Sequence, residues 1–233
     1  VTSTGGFLAQ ISLLVRQGIK AELSDRERIV SPLLFAATIM VLFAFTMGDV
    51  EKELRDRIFL AQTFLTLFLA LQISFARTFE PDAQDRVFDM LRTYPVSSEA
   101  WFLSRVVLVF LNGVAILFPT VLLGGLLWSQ DASRLLTWQM FLIAFLTLFG
   151  LCALGVLLSA MTLRALARQI IFPLLYFPLT APVLLAAVQA AGLALAPDAD
   201  ADTFRGWLTL LTGFGVIYFT LGLLLFGELV EPS

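Results

Sequence analysis

The sequence predicts an all-α polytopic membrane protein: an amino-terminal amphipathic elbow helix followed by six transmembrane helices. Three observations carry that reading. Of 233 residues, 59% are hydrophobic and only 14% charged, with a mean hydropathy of +0.90, whereas a soluble chain is about a quarter charged. The apolar residues fall in long blocks, near or above the roughly 20 residues a helix needs to cross the hydrocarbon. The charges gather between those blocks. A soluble fold would have to bury nearly every helix, and a 25.7 kDa chain has too little interior for that.

Residues 7–24 read as the elbow. Phe7, Ile11, Leu14, Val15 and Leu23 can share a face, with Gln10, Gln17 and Lys20 off it, as in a helix lying along the membrane. Gly18 and the charges at 16 and 20 argue against a crossing. A charge cluster, Arg26, Glu27 and Arg28, then precedes the first span at 29–47, with Pro32 near its start, where a missing amide proton costs nothing. The second span is expected at 58–76 and the third at 101–128, bracketed by Trp101 and Trp128 as interface anchors. The fourth is expected at 135–158, the fifth at 170–195 and the sixth at 206–226, after an acidic loop. Pro173, Pro178 and Pro182 predict that the fifth span is kinked or interrupted. No internal repeat is evident, and the whole of 1–233 reads as one transmembrane domain.

Six spans put both ends of the chain on one side. That side collects Arg16, Lys20, Arg26, Arg28, Arg77, Arg86, Arg92, Arg105, Arg164 and Arg168, against Lys52, Arg55, Arg57, Arg134 and Arg205 on the other. The excess of bases predicts that both termini are cytoplasmic. So is the connector at 77–99, the densest block of charge in the chain. Within it Val87, Phe88 and Leu91 recur at helical spacing among Asp82, Asp85, Arg86, Asp89 and Arg92, after Pro81 and before Pro95. A short helix of mixed sign with one apolar side suits a protein groove better than an anionic lipid surface, which favours net positive charge. It reads as a docking element for a cytoplasmic motor; the plainer reading is a solvated linker.

Chemistry is scarce elsewhere. There is no histidine, so the commonest metal and heme ligand and the usual general base are missing. The one cysteine, Cys152, excludes an internal disulfide and reads as packing. Tyr176 and Met161 read as packing or interface residues rather than porphyrin ligands. No acid or lysine lies deep in a span, which disfavours an ion-coupled carrier. No phosphate-binding G-x-x-x-x-G-K-[ST] run occurs, so any ATP is bound by another subunit. Gln72, Asn112 and Gln139 can bond between helices, and Gly113, Gly124, Gly125, Gly150 and Gly155 permit close helix approach.

Four stretches together resemble the CcmB family, heme exporter protein B: K-A-E-L-S-D-R-E-R-I-V-S-P-L-L-F at 20–35, F-x-F-x-M-G at 43–48, S-F-A-R-T-F-E-P-D-A-Q-D-R-V-F-D-M-L-R-T-Y-P-V at 74–96, and R-Q-I-I-F-P-L-L-Y-F-P-L-T-A-P-V at 168–183. The order and spacing of the four across the chain carry the resemblance. It departs at Asp85-Arg86-Val87, where many relatives have a glycine followed by a small residue.

The resemblance implies an ABC-2 type (type V-like) permease architecture and a non-catalytic subunit of an ABC-type complex for cytochrome c biogenesis in the bacterial inner membrane. It implies a homodimer, surrounded by lipid, with a cytoplasmic ATPase, CcmA, that binds the ATP. CcmC, CcmD and the heme chaperone CcmE complete the assembly, with heme as the cargo of the complex, no cofactor or metal held by this chain and no nucleic acid. Glu80, Asp82, Asp85, Arg86, Phe88, Asp89, Leu91 and Arg92 then become the ATPase-coupling segment, and Arg26, Glu27 and Arg28 the charges of the elbow. Hydrolysis would be linked to release of the heme-loaded chaperone at the outer face. Two alternatives use the same features: an ABC-2 exporter permease for another amphiphile (drug, lipid or polysaccharide), or a membrane scaffold with no transport cycle.

Overall fold

The computed structural model describes residues 6–47, 51–79, 97–127, 135–162, 165, 167–196 and 200–230. Seven long helices account for nearly all of them, and no strand occurs among the described residues. They are α1 (Phe7–Ser24), α2 (Arg26–Met47), α3 (Lys52–Arg77), α4 (Ser98–Leu127), α5 (Trp138–Thr162), α6 (Arg168–Leu195) and α7 (Ala201–Val230). The last six are long and apolar enough to cross a membrane. Backbone polar groups have no water to bond with in hydrocarbon, so continuous helices are the form such apolar blocks must take.

Burial sorts the spans. α3 and α5 are central: Leu67, Leu71 and Phe75 of α3 and Leu151, Cys152 and Val156 of α5 are all fully enclosed. α2 and α7 lie outside, with Leu34, Leu42 and Phe45 of one and Val216, Ile217 and Leu224 of the other exposed. Side-chain contacts also define two ends of the bundle. One end gathers the close of α1, the start of α2, the exit of α3, the starts of α4 and α6, and the closes of α5 and α7. At the other, Gln62 of α3 bonds back to Met40 of α2, and Gly124 of α4 faces Met40 and Phe59. The spans therefore alternate in direction, and the start of α2 and the close of α7 share an end.

Several boundaries differ from those expected, each for a local reason. α2 begins at Arg26 rather than 29, so Pro32 sits in the second turn, is buried, and deprives the Arg28 carbonyl of its helical donor. α7 begins at Ala201 because Asp200 caps it: the carboxylate accepts from the Thr203 amide at 3.0 Å and the Asp202 amide at 3.4 Å. Half of the expected acidic loop is thus helix. These bonds hold the Asp200 carboxyl below its ordinary value.

α6 runs uninterrupted through Pro173, Pro178 and Pro182. The prolines remove the helical donors to the carbonyls of Gln169, Leu174 and Pro178. Extra donors cluster beside them: Thr180 Oγ1 bonds to the carbonyls of Tyr176 (2.7 Å) and Phe177 (3.2 Å), and Tyr218 Oη of α7 bonds to that of Leu179 (2.6 Å).

α1 leans on the first half of α4. The Ser97 amide donates to Gln10 Oε1 at 3.4 Å, and Gly18 lies against the Leu108 side chain with no room for a β-carbon. Ile11, Leu14 and Val15 are half-buried on the stripe that includes Gly18, while Leu8 and Leu13 are exposed. Part of the stripe read as a membrane-lying face is therefore turned toward protein.

Candidate functional site: the root of the connector

The residues expected to couple to an ATPase (Glu80, Asp82, Asp85, Arg86, Phe88, Asp89, Leu91 and Arg92) lie outside the described residues. Both roots of their connector are described, and they converge. α3 ends at Arg77, and Phe79, two residues beyond the helix, is only 1% exposed. Its ring meets Trp101 of α4 edge-on, with centroids 6.2 Å apart and planes at 86°, and Phe226 of α7 at 6.1 Å. Trp101 and Phe226 also meet edge-to-face, at 5.5 Å. Such pairs contribute about 0.5–1.5 kcal/mol each beyond area burial. The guanidinium of Arg105 stands 5.9 Å from the Phe79 centroid, a cation over the negative face of a ring.

The last turn of α3 is held from the other side. A helix leaves its final carbonyls without intrahelical donors. That of Phe75 accepts from Ser159 Oγ of α5 and from Arg168 Nη2 of α6, each at 3.4 Å, as well as from the Thr78 amide at 3.3 Å. Arg168 places a positive charge at the negative end of the helix dipole. The Phe75 ring fills the space above Gly155 of α5, where a β-carbon would overlap it, and packs on Phe172 and Tyr176. Tyr176 is fully buried, stacks on Phe68 and Phe172, and donates to the Leu151 carbonyl at 3.3 Å. Cys152 is sealed in the same core, and Met161 is exposed nearby. Among the described residues no three His, Cys, Asp or Glu side chains are grouped to hold a metal ion.

The elbow charges divide. Arg28 turns inward and donates from Nε to Asp25 Oδ2 at 2.9 Å, while Arg26 and Glu27 are exposed. Glu22 of α1 completes the corner. Burial pushes its carboxyl above the ordinary value, and the charges of Arg28 and Arg105 pull it back. Arg105 thus faces both the elbow acid and the connector root. Pro173, Pro178 and Pro182 run from the first turns of α6 to its middle, and only the first lies near this end.

A family model, described as CcmB protein, matches residues 9–231. The chain belongs to the CcmB family. Members of that family are heme exporter membrane components of cytochrome c maturation, and membership places this multi-pass membrane chain among them as a permease-type subunit. No curated protein sequence matches it. Phe79, Trp101, Arg105, Phe226, Glu22 and Asp25 were not singled out as site residues from the sequence. In a chain with 22 phenylalanines, nothing local distinguishes Phe79 or Phe226 from lipid-facing mass. Asp25, three residues before Arg28 at a helix start, did carry a readable signal.

Proposed function

We propose that this CcmB-family chain is the permease subunit of an ABC-type complex in a bacterial inner membrane. It couples ATP hydrolysis by a separate cytoplasmic subunit, CcmA, to heme handling and to release of heme-loaded CcmE at the outer face. The observation that carries the reading is the convergence of both connector roots, Phe79 and Trp101, on one packed cluster that includes the close of the last span. A loop that merely joined two spans would need no such anchorage. The connector is the lever, with Glu80, Phe88 and Leu91 seated on the ATPase, and the end of the bundle that carries it faces the cytoplasm.

Two copies of the chain and two of the ATPase form the working unit, with CcmC and CcmD alongside. Nucleotide draws the ATPase pair together, the connectors shift, and the spans they root change their angle. ATP drives release only to the extent that the two conformations bind the loaded chaperone differently. Heme is cargo of the assembly. Within this chain the Tyr176 hydroxyl is occupied by the Leu151 carbonyl and Cys152 is sealed, so neither is presented to a porphyrin.

The test is gentle extraction and co-purification of the native chain beside an E80A/F88A/L91A variant, with ATPase activity and bound heme chaperone assayed together. The native chain is expected to bring down an ATPase and the variant to lose it, with heme-loaded chaperone accumulating in cells that carry the variant. Absence of any ATPase from the native preparation would overturn the coupling reading and favour a scaffold. An associated ATPase with no effect on the chaperone would favour export of another amphiphile.

A further inference from the structure

We propose that Phe79, Trp101 and Phe226 form a rigid joint that passes displacement of the 80–96 connector to the last span, with α4 extending the joint to the elbow helix. This rests on the coupling reading above and names the residues that carry it into the membrane domain.

Phe79 lies beyond the end of α3, where helical hydrogen bonds no longer hold it, yet it is as buried as the core. What holds it is the contact with two rings on two other helices. Trp101 sits in the first turn of α4, just after the connector returns, so the outgoing and returning roots touch and must move together. Phe226 ties that pair to α7. From there rings continue inward: Phe226 to Phe102 at 5.4 Å, Phe102 to Phe219 at 5.9 Å, and Phe219 to Phe149 of α5 at 5.3 Å. Phe102 is seated over Gly222, where any β-carbon would collide with it, so this file leaves no slack beside α7. Packed contacts of this kind shift between discrete arrangements rather than deforming continuously. Arg105 of α4 stands over Phe79, and Leu108 on the same helix is packed against Gly18 of α1, which gives α1 a share in the same movement.

The experiment uses the whole complex reconstituted in membranes, with Phe79→Leu, Phe226→Leu and their combination, which keep apolar bulk but remove the rings. The ATPase is expected to remain bound and to hydrolyse ATP, while release of the heme-loaded chaperone falls by about 10-fold, inside the usual range of coupling between distant sites. The double variant should be no worse than either single one, because the two residues act as one unit. Full release from an assembled leucine variant would overturn the proposal, as would effects that multiply. Where a leucine variant fails to assemble, Trp101→Phe, which keeps a ring, should show a smaller loss of the same kind, and unchanged release would again overturn it. If no ATPase associates even with the native chain, the coupling reading fails before the joint is tested.

Discussion

Asn112 and Ser74 show at the residue scale how a polar group is kept inside an apolar bundle. Asn112 Nδ2 donates to Ser74 Oγ at 3.1 Å between α4 and α3, and Asn112 Oδ1 has no hydrogen-bond partner among the described residues. Inside a membrane such a bond contributes about 0.6–2 kcal/mol, while an amide left wholly unmet costs about 1–3 kcal/mol. Removing one partner should therefore hurt more than removing both. Ser74→Ala is expected to destabilise the extracted protein by about 1–2 kcal/mol, and adding Asn112→Leu to it should recover much of that loss. Unfolding midpoints in detergent for the two singles and the double would check this. A double variant less stable than Ser74→Ala would mean that the amide is serving something other than helix contact. The sequence identified Asn112 as a polar residue able to bond between helices, but not its partner. The same reasoning named Gln139, which is exposed, and passed over Gln62, which ties α3 to α2 through the Met40 carbonyl at 3.4 Å. Which face of a span looks inward is decided by neighbouring helices. In a block that is apolar all round, periodicity does not reveal it.

At the scale of the element, the end of α3 depends on a notch in α5. Gly155 leaves room for the Phe75 ring, and the adjacent carbonyl takes its bonds from Ser159 and Arg168. Filling the notch should push the end of α3 outward and disturb the connector root with it. Gly155→Ala is expected to cost about 1–3 kcal/mol by overpacking, and Phe75→Leu in the same chain should relieve most of the strain. Folded yield and thermal midpoint of the single and double variants read this out. No rescue would mean that Gly155 is needed for a reason other than the ring. The elements were largely legible in advance: six apolar blocks, an amphipathic stretch before them and a charged connector correspond to α1–α7 and the segment between α3 and α4. Their ends were less so. Asp200 extends α7 into a stretch that composition marks as loop. α2 starts ahead of its apolar block because Arg26, Glu27 and Arg28 are polar yet helical. Three prolines suggested that α6 is kinked or interrupted, and the helix continues through all three.

The direction of each span is a property of the whole molecule. The aromatic cluster, the Ser159 and Arg168 bonds to Phe75 and the Glu22 corner put residues from every helix at one end. Arg28, Arg105 and Arg168 lie there, while Arg205 follows the cap of α7 at the other end, paired with Asp202 at 3.5 Å. Counting bases along the sequence sorted these four in the same way, because the sorting requires only that the number of crossings between them be right. It says nothing about contact, so the count could not show that the roots of the connector meet. If the basic end faces the cytoplasm, a cysteine at Ser24 or Glu99 should stay hidden from a membrane-impermeant thiol reagent in intact cells and become reactive in inverted vesicles. One at Glu51 or Asp200 should do the opposite. Cys152 is fully buried and adds no background to either measurement. Labelling of all four positions from one side would contradict the alternation itself, whereas a clean reversal of the pattern would keep the bundle and turn the connector outward. An outward connector could not reach a cytoplasmic ATPase, so this single pattern of labelling bears on the fold and on the coupling reading separately.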